Sequence, residues 1–239
     1  MKRLLIYCFI IFLSYNALAE NNQNQWRTGP FHFQYLGEDS LSEQTKDLLY
    51  RSINNAFTKS SSSGSIQFPL SLKIIITGNS AQFSSMTRMP RDAAACYSRM
   101  KNALILQHPH LLERRGILER SIYHESLHWM IFEKRGTKDV HDNLFMDEFL
   151  TEALSPSSEK IRADRSFFPD DYEKFLTKIK SGFSSKRTIR QKARDAAGLW
   201  GAFIINNKGM DSLMNYVVFR KPDFDVEGLY KAFLEKFGK

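Results

Sequence analysis

Two histidines four residues apart, with a glutamate directly after the first, form His124-Glu125-Ser126-Leu127-His128. On an α-helix four positions advance about 400°, so both imidazoles leave on nearly the same face and can converge on one metal ion. Glu125 sits about 100° round from His124, where a carboxylate can reach a metal-bound water without taking a coordination position. The spacing encodes two ligands and a base. A catalytic zinc normally takes three protein ligands and keeps a fourth position for water, so a further donor is required.

The search for that donor runs downstream. A third histidine six residues after His128 is absent, since that position is Lys134, and Ile131 stands where the metzincin arrangement needs glycine. Twenty-four residues after His128 comes Glu152, within Phe149-Leu150-Thr151-Glu152-Ala153-Leu154-Ser155. An amphipathic helix there turns the carboxylate inward, and a buried glutamate needs a partner that a metal supplies. Glu148, one turn earlier, reads as an acceptor behind the ligands or as a solvated residue at a helix start.

The elements that must position these groups are legible in outline. Phe31-His32-Phe33-Gln34-Tyr35 alternates as a half-buried strand, a helical pattern runs from Ser40 to Phe57, and Leu70–Ile76 is a β-branched strand closed by Gly78-Asn79. Ser60-Ser61-Ser62-Ser63-Gly64-Ser65 reads as a loop. A strand over Ala103–Leu106 precedes the histidine helix, and His108-Pro109-His110 reads as a polar turn. That helix lies between Gly116 and Gly136, with Lys134 and Arg135 complementing its dipole. From Tyr172 the pattern is helical almost to the end, over Tyr172–Ile179, Ile189–Ile205, Met210–Phe219 and Val226–Phe237. Trp129 and Trp200 read as core. The fold class expected is α+β: a small N-terminal β-sheet with helices packed on it, the metal-binding helix, and a mostly helical C-terminal lobe.

Lys2-Arg3, the apolar stretch Leu4–Leu13 and Ala17-Leu18-Ala19 have the order of a secretory signal peptide over residues 1–19. Retention as an anchor is the alternative. Cleavage after Ala19 leaves 220 of the 239 residues as a single unit, with an α+β core at about 26–160 and a helical lobe at about 161–239. It also removes Cys8, leaving Cys96 with no internal disulfide partner, and takes the formal charge from +8 to +6 by loss of Lys2 and Arg3. A basic surface suits solubility or contact with an anionic cell-envelope surface. The cations Arg187, Arg190, Lys192 and Arg194 read as a solvated helix face, so no nucleic-acid partner is expected.

The pair of segments His124–His128 and Phe149–Ser155 resembles the gluzincin metallopeptidases, in particular the compact peptidase MA-like domains. Phe149 stands where that second motif usually has tryptophan, and Ala153 holds its small position. The resemblance implies one Zn2+ per chain bound by His124, His128 and Glu152, with Glu125 as general base. It also implies an edge strand, Asn102, Ala103, Leu104, Ile105, Leu106 and Gln107, that pairs with a peptide or protein substrate. The aspartate that some relatives place four residues beyond the ligand glutamate is Pro156 here; Asp147 or Glu148 are the substitutes. Tyr172, His141 and Arg194 are the candidates for stabilising an oxyanion.

The expected activity is that of an exported zinc peptidase, periplasmic or secreted. The alternatives are a non-catalytic envelope binding or assembly protein on the same scaffold, and a structural zinc site closed by His141 as fourth ligand.

Overall fold

The computed structural model describes residues 24–136, 144–155 and 164–237. They form two compact units. One takes the described residues up to Asn55 together with Phe68–Ile122; the other takes Ala56–Gln67 and the described residues from Tyr123 onward. This division falls elsewhere than at residue 160. It groups the histidine-bearing part of that helix, from Tyr123 onward, with the C-terminal helices instead of with the sheet.

The first unit holds a five-stranded mixed sheet of β1 (Gln25–Thr28), β2 (Phe31–Tyr35), β3 (Leu72–Ile76), β4 (Ala95–Ser98) and β5 (Ala103–Leu106), in the order β1-β2-β3-β5-β4. The β1–β2 hairpin turns at Gly29, whose φ of 57° is in the left-handed region that glycine enters without strain. The helix α1 (Glu43–Gly64) joins β2 to β3, which run parallel, giving the expected β-α-β opening. Phe31, Phe33, Leu72, Ile74 and Ile76 are buried on one face of the sheet. On the other face Ile75, Ala103 and Ile105 pack under Phe83 of α2 (Ser80–Thr87). Pro109 opens a short helix, α3 (Pro109–Arg114), where a turn was expected; a proline at the first helical position forfeits no intrahelical hydrogen bond.

The sheet corrects one expectation. Residues Ala103–Leu106 form a strand, but not an edge: β5 pairs with β3 on one side, Ile74 opposite Leu104, and with β4 on the other, Tyr97 opposite Leu104. Its backbone groups are committed to two ladders, so the Asn102–Gln107 segment has no free edge to offer a peptide. Among the described residues the sheet's outer strands are β1 and β4.

The serine run corrects another. α1 continues through Ser60–Ser63 to Gly64. Serine is a modest helix former, but packing overrides it here. The Ser60 hydroxyl lies 2.6 Å from that of Ser126, both buried, and the Ser126 hydroxyl has the carbonyl of Tyr123 at 2.7 Å and that of Ala56 at 3.3 Å as acceptors. Gly64 lies so close to Met130 that a Cβ there would meet its side chain at 2.6 Å.

The histidine helix is α4 (Leu118–Arg135), which belongs to the second unit from Tyr123 onward and is stopped by Gly136 at a φ of 69°, as its sequence limits imply. It is followed by α5 (Asp147–Leu154), α6 (Tyr172–Phe183), α7 (Arg187–Lys208), α8 (Met210–Phe219) and α9 (Val226–Phe237). An aromatic core of Phe149, Phe175, Trp200, Phe203, Tyr230 and Phe233 joins α5, α6, α7 and α9. Trp129 packs on Phe57, 4.9 Å between ring centroids. α5 lies closest to α7, because Gly198 and Gly201 present bare backbone to it. A Cβ on Gly198 would stand 3.1 Å from the Glu152 carbonyl oxygen, and one on Gly201 would collide with the carbonyl oxygen of Phe149. The α+β class, with a small N-terminal sheet and a mostly helical C-terminal part, is as expected.

Candidate metal centre

His124 and His128 leave α4 on one face, and their Nε2 atoms come within 3.2 Å of each other. Such proximity of two basic nitrogens requires a shared proton, cation or acid, and a carboxylate supplies part of the answer. Glu148 places Oε2 3.5 Å from His124 Nε2 and Oε1 3.5 Å from His128 Nε2. One donor atom from each of these three side chains lies within 4.8 Å of the other two. The side chains are 11, 21 and 14% exposed for His124, His128 and Glu148, so the cluster is shielded yet reachable.

Glu152, the glutamate of the motif resemblance, lies elsewhere on the same helix. Its Oε1 approaches His124 Nδ1, the other ring nitrogen, to 3.7 Å, and Arg194 Nε of α7 to 3.5 Å. At 2% exposure it is more deeply buried than Glu148. The carboxylate facing the paired Nε2 atoms therefore belongs to Glu148, and Glu152 backs the His124 ring. Both project from one side of α5, about 6 Å apart along its axis, so the axial position of that helix decides which of them meets the histidines.

Electrostatics follow from this crowding. Burial disfavours a charged His128, but the hydrogen bond and charge of Glu148, with the charges of Glu125 and Asp147, outweigh it and raise the imidazole to about 9. Burial acts against ionised Glu148 too, and the two histidines overcome it, holding its carboxyl well below the usual range.

A buried ion pair fixes the start of α5. Asp147 Oδ1 lies 2.5 Å from Arg135 Nη2, with Arg220 Nη2 at 3.6 Å. Arg135 also donates to the carbonyls of Val217 and Val218 at 3.1 and 3.2 Å, tying the end of α4 to α5 and to α8. Arg135 thus does more than complement the dipole of its helix. Its depth had one hint, an arginine and an aspartate flanking the connection between two site-bearing helices. Gly198 and Gly201 give the same kind of hint, as glycines inside an otherwise helical pattern.

The three oxyanion candidates fare differently. Tyr172 is a core residue: its hydroxyl is bonded to the hydroxyl of Tyr216 and its ring packs on Trp200 and Tyr230. Arg194 is engaged with Glu152, and His141 lies outside the described residues. Residues 1–19, read as a signal peptide, also lie outside them, and no helix among the described residues is long and apolar enough to cross a membrane. No protein-family model matches the chain, and no curated protein matches it significantly in sequence.

Proposed function

We propose that this protein is an exported zinc-dependent peptidase whose metal is held by His124, His128 and Glu148. The observation that carries the reading is the convergence of these three donors, on two helices, beside a glutamate adjacent in sequence to the first histidine. Two imidazoles and one carboxylate make a donor set suited to catalytic zinc, and the partial exposure of the cluster suits a fourth position open to water or substrate.

When bound, zinc would polarise a peptide carbonyl and acidify a water molecule. The chain's own residues do the rest. Glu125, whose charge already acts on His128, accepts the proton of the attacking water at a carboxylate oxygen and returns it to the departing amine nitrogen. Glu152 orients the His124 ring from its Nδ1 side, and Arg194 balances the charge of that buried carboxylate. The gluzincin resemblance supports the same activity and differs on the third ligand.

Purified wild-type protein and the Glu125→Gln, Glu148→Gln and Glu152→Gln variants, assayed for zinc content and for cleavage of a diverse peptide library, test the proposal. Glu125→Gln should keep its zinc and lose at least about a hundredfold in turnover. Glu148→Gln should lose zinc, while Glu152→Gln should weaken binding by about 10–100-fold, as removal of a group supporting a ligand does. Zinc lost from Glu152→Gln and retained by Glu148→Gln would return the third ligand to Glu152. Undiminished cleavage by Glu125→Gln would overturn the mechanism.

The engagement of Tyr172 with Tyr216 and of Arg194 with Glu152 favours one competing reading, a non-catalytic scaffold that binds zinc. Stoichiometric zinc with no cleavage anywhere in the library is its signature.

A further inference from the structure

The face of the sheet that carries Ile75 is covered along only part of its width. Phe83 of α2 roofs Ile75, Ala103 and Ile105, whereas a cavity of about 390 Å3 opens over β1, β2 and β3 of the same unit. Its lining is Gln25, His32, Phe33, Gln34, Ser71 and Lys73. Strand register places these polar groups side by side. Gln25 pairs with Gln34, Arg27 with His32, and His32 in turn with Lys73, giving an Arg-His-Lys row across three strands.

No carboxylate lines this cavity. Among the described residues, none of the side chains of Gln25, His32, Gln34, Ser71 and Lys73 has a hydrogen bond or ion pair with another protein group. Lys73 is exposed and His32 half-buried. An ammonium, an imidazole, two amides and a hydroxyl thus line one space with their donors uncommitted, and Arg27 adds a further positive charge beside His32. Donors laid side by side on one sheet face, around a lysine rather than a bidentate arginine fork, suit a group with three or four acceptor oxygens, which can engage several of them at once, better than a carboxylate with two. The volume falls in the range of small-molecule sites.

We propose that this cavity binds a phosphate group, borne by a soluble compound or by a lipid headgroup, with Lys73 and His32 as its principal contacts. The site is built from the sheet's own strands and stands independently of the metal centre.

Calorimetric titration of the full chain with inorganic phosphate, at low ionic strength and without added metal, tests this directly. Saturable one-to-one binding is expected. Lys73→Gln and His32→Gln should each weaken it by about tenfold, as loss of a charge-assisted contact does, with the thermal melt unchanged. Lys101→Gln, an equal charge change at an exposed position of the same unit, should leave it intact. Absence of saturable binding, an equal loss in Lys101→Gln, or acetate competing as well as phosphate would each overturn the assignment. Vesicles of phosphatidylcholine containing phosphatidic acid separate the two sources. Association weakened by Lys73→Gln assigns a lipid headgroup; association indifferent to it, together with phosphate binding, assigns a soluble phosphate compound.

Discussion

At the scale of single residues, the proton on His128 and a metal ion compete for the same nitrogen. An imidazole raised from 6.5 to about 9 in the folded chain contributes stability that is fully present below 6.5 and lost as pH rises through 9. Glu148, held below its ordinary 4.5, contributes stability present above that value and lost as pH falls through its folded one. The metal-free protein therefore keeps its pair from well below 4.5 up to about 9. Metal uptake inside that window must expel the His128 proton, so affinity should rise about tenfold per pH unit up to about 9 and then level off. Calorimetry in buffers of different ionisation enthalpy should show about one proton released near pH 7 and almost none above 9. Binding heats that do not depend on the buffer near pH 7 would refute the competition. His124, Glu125 and His128 were legible in the sequence because helical periodicity alone aligns them. The choice between Glu148 and Glu152 was not, since both fall on one face of one short helix.

At the scale of elements, that choice depends on how α5 seats on α7. Gly198 and Gly201 let the two backbones approach, and the collision awaiting a Cβ at Gly201 leaves α5 no room to stay in place. Gly201→Ala should destabilise the protein by about 1–3 kcal/mol, the usual range for overpacking a dense core, and should also weaken zinc binding by shifting Glu148. Gly198→Ala, with its nearest neighbour at 3.1 Å, should cost less. Urea unfolding and zinc titration of both variants check the order; a Gly201→Ala protein as stable as wild type would show that α5 is not so tightly held. The elements that escaped sequence reading share a physical cause. β1 and β4 are four-residue outer strands without fully buried alternation, too short for a period of two to emerge. The serine run looked like a loop because local propensity argued for one, while its hydroxyl partner Ser126 lies far along the chain.

At the scale of the whole molecule, the order of the patterns announced the α+β class: alternating strands early, helical periodicity late. The division into two units was hidden because two of its three boundaries fall inside α1 and inside α4, and a helix shared between units shows no change of composition or turn signal at the boundary. Its consequence is that every group of the candidate metal centre, from His124 to Arg194, belongs to the unit that resumes at Tyr123. A ligand that binds only the folded form stabilises it by mass action, by about 2.7 kcal/mol at a free concentration of 100 times Kd. For a chain of this size each kcal/mol moves the melting temperature by about 2–4 °C, so saturating zinc should raise it by roughly 5–10 °C and a chelator should reverse the gain. The hydrogen-exchange protection acquired should concentrate in α4 from Tyr123 onward and in α5, because those segments carry all three donors. The same titration of His128→Ala should produce no shift, which separates binding at this centre from zinc adsorbed by exposed carboxylates. A wild-type melt indifferent to both zinc and chelator, in protein that carries one zinc per chain, would show that the metal does not link α4 to α5 and would remove the centre from this part of the fold.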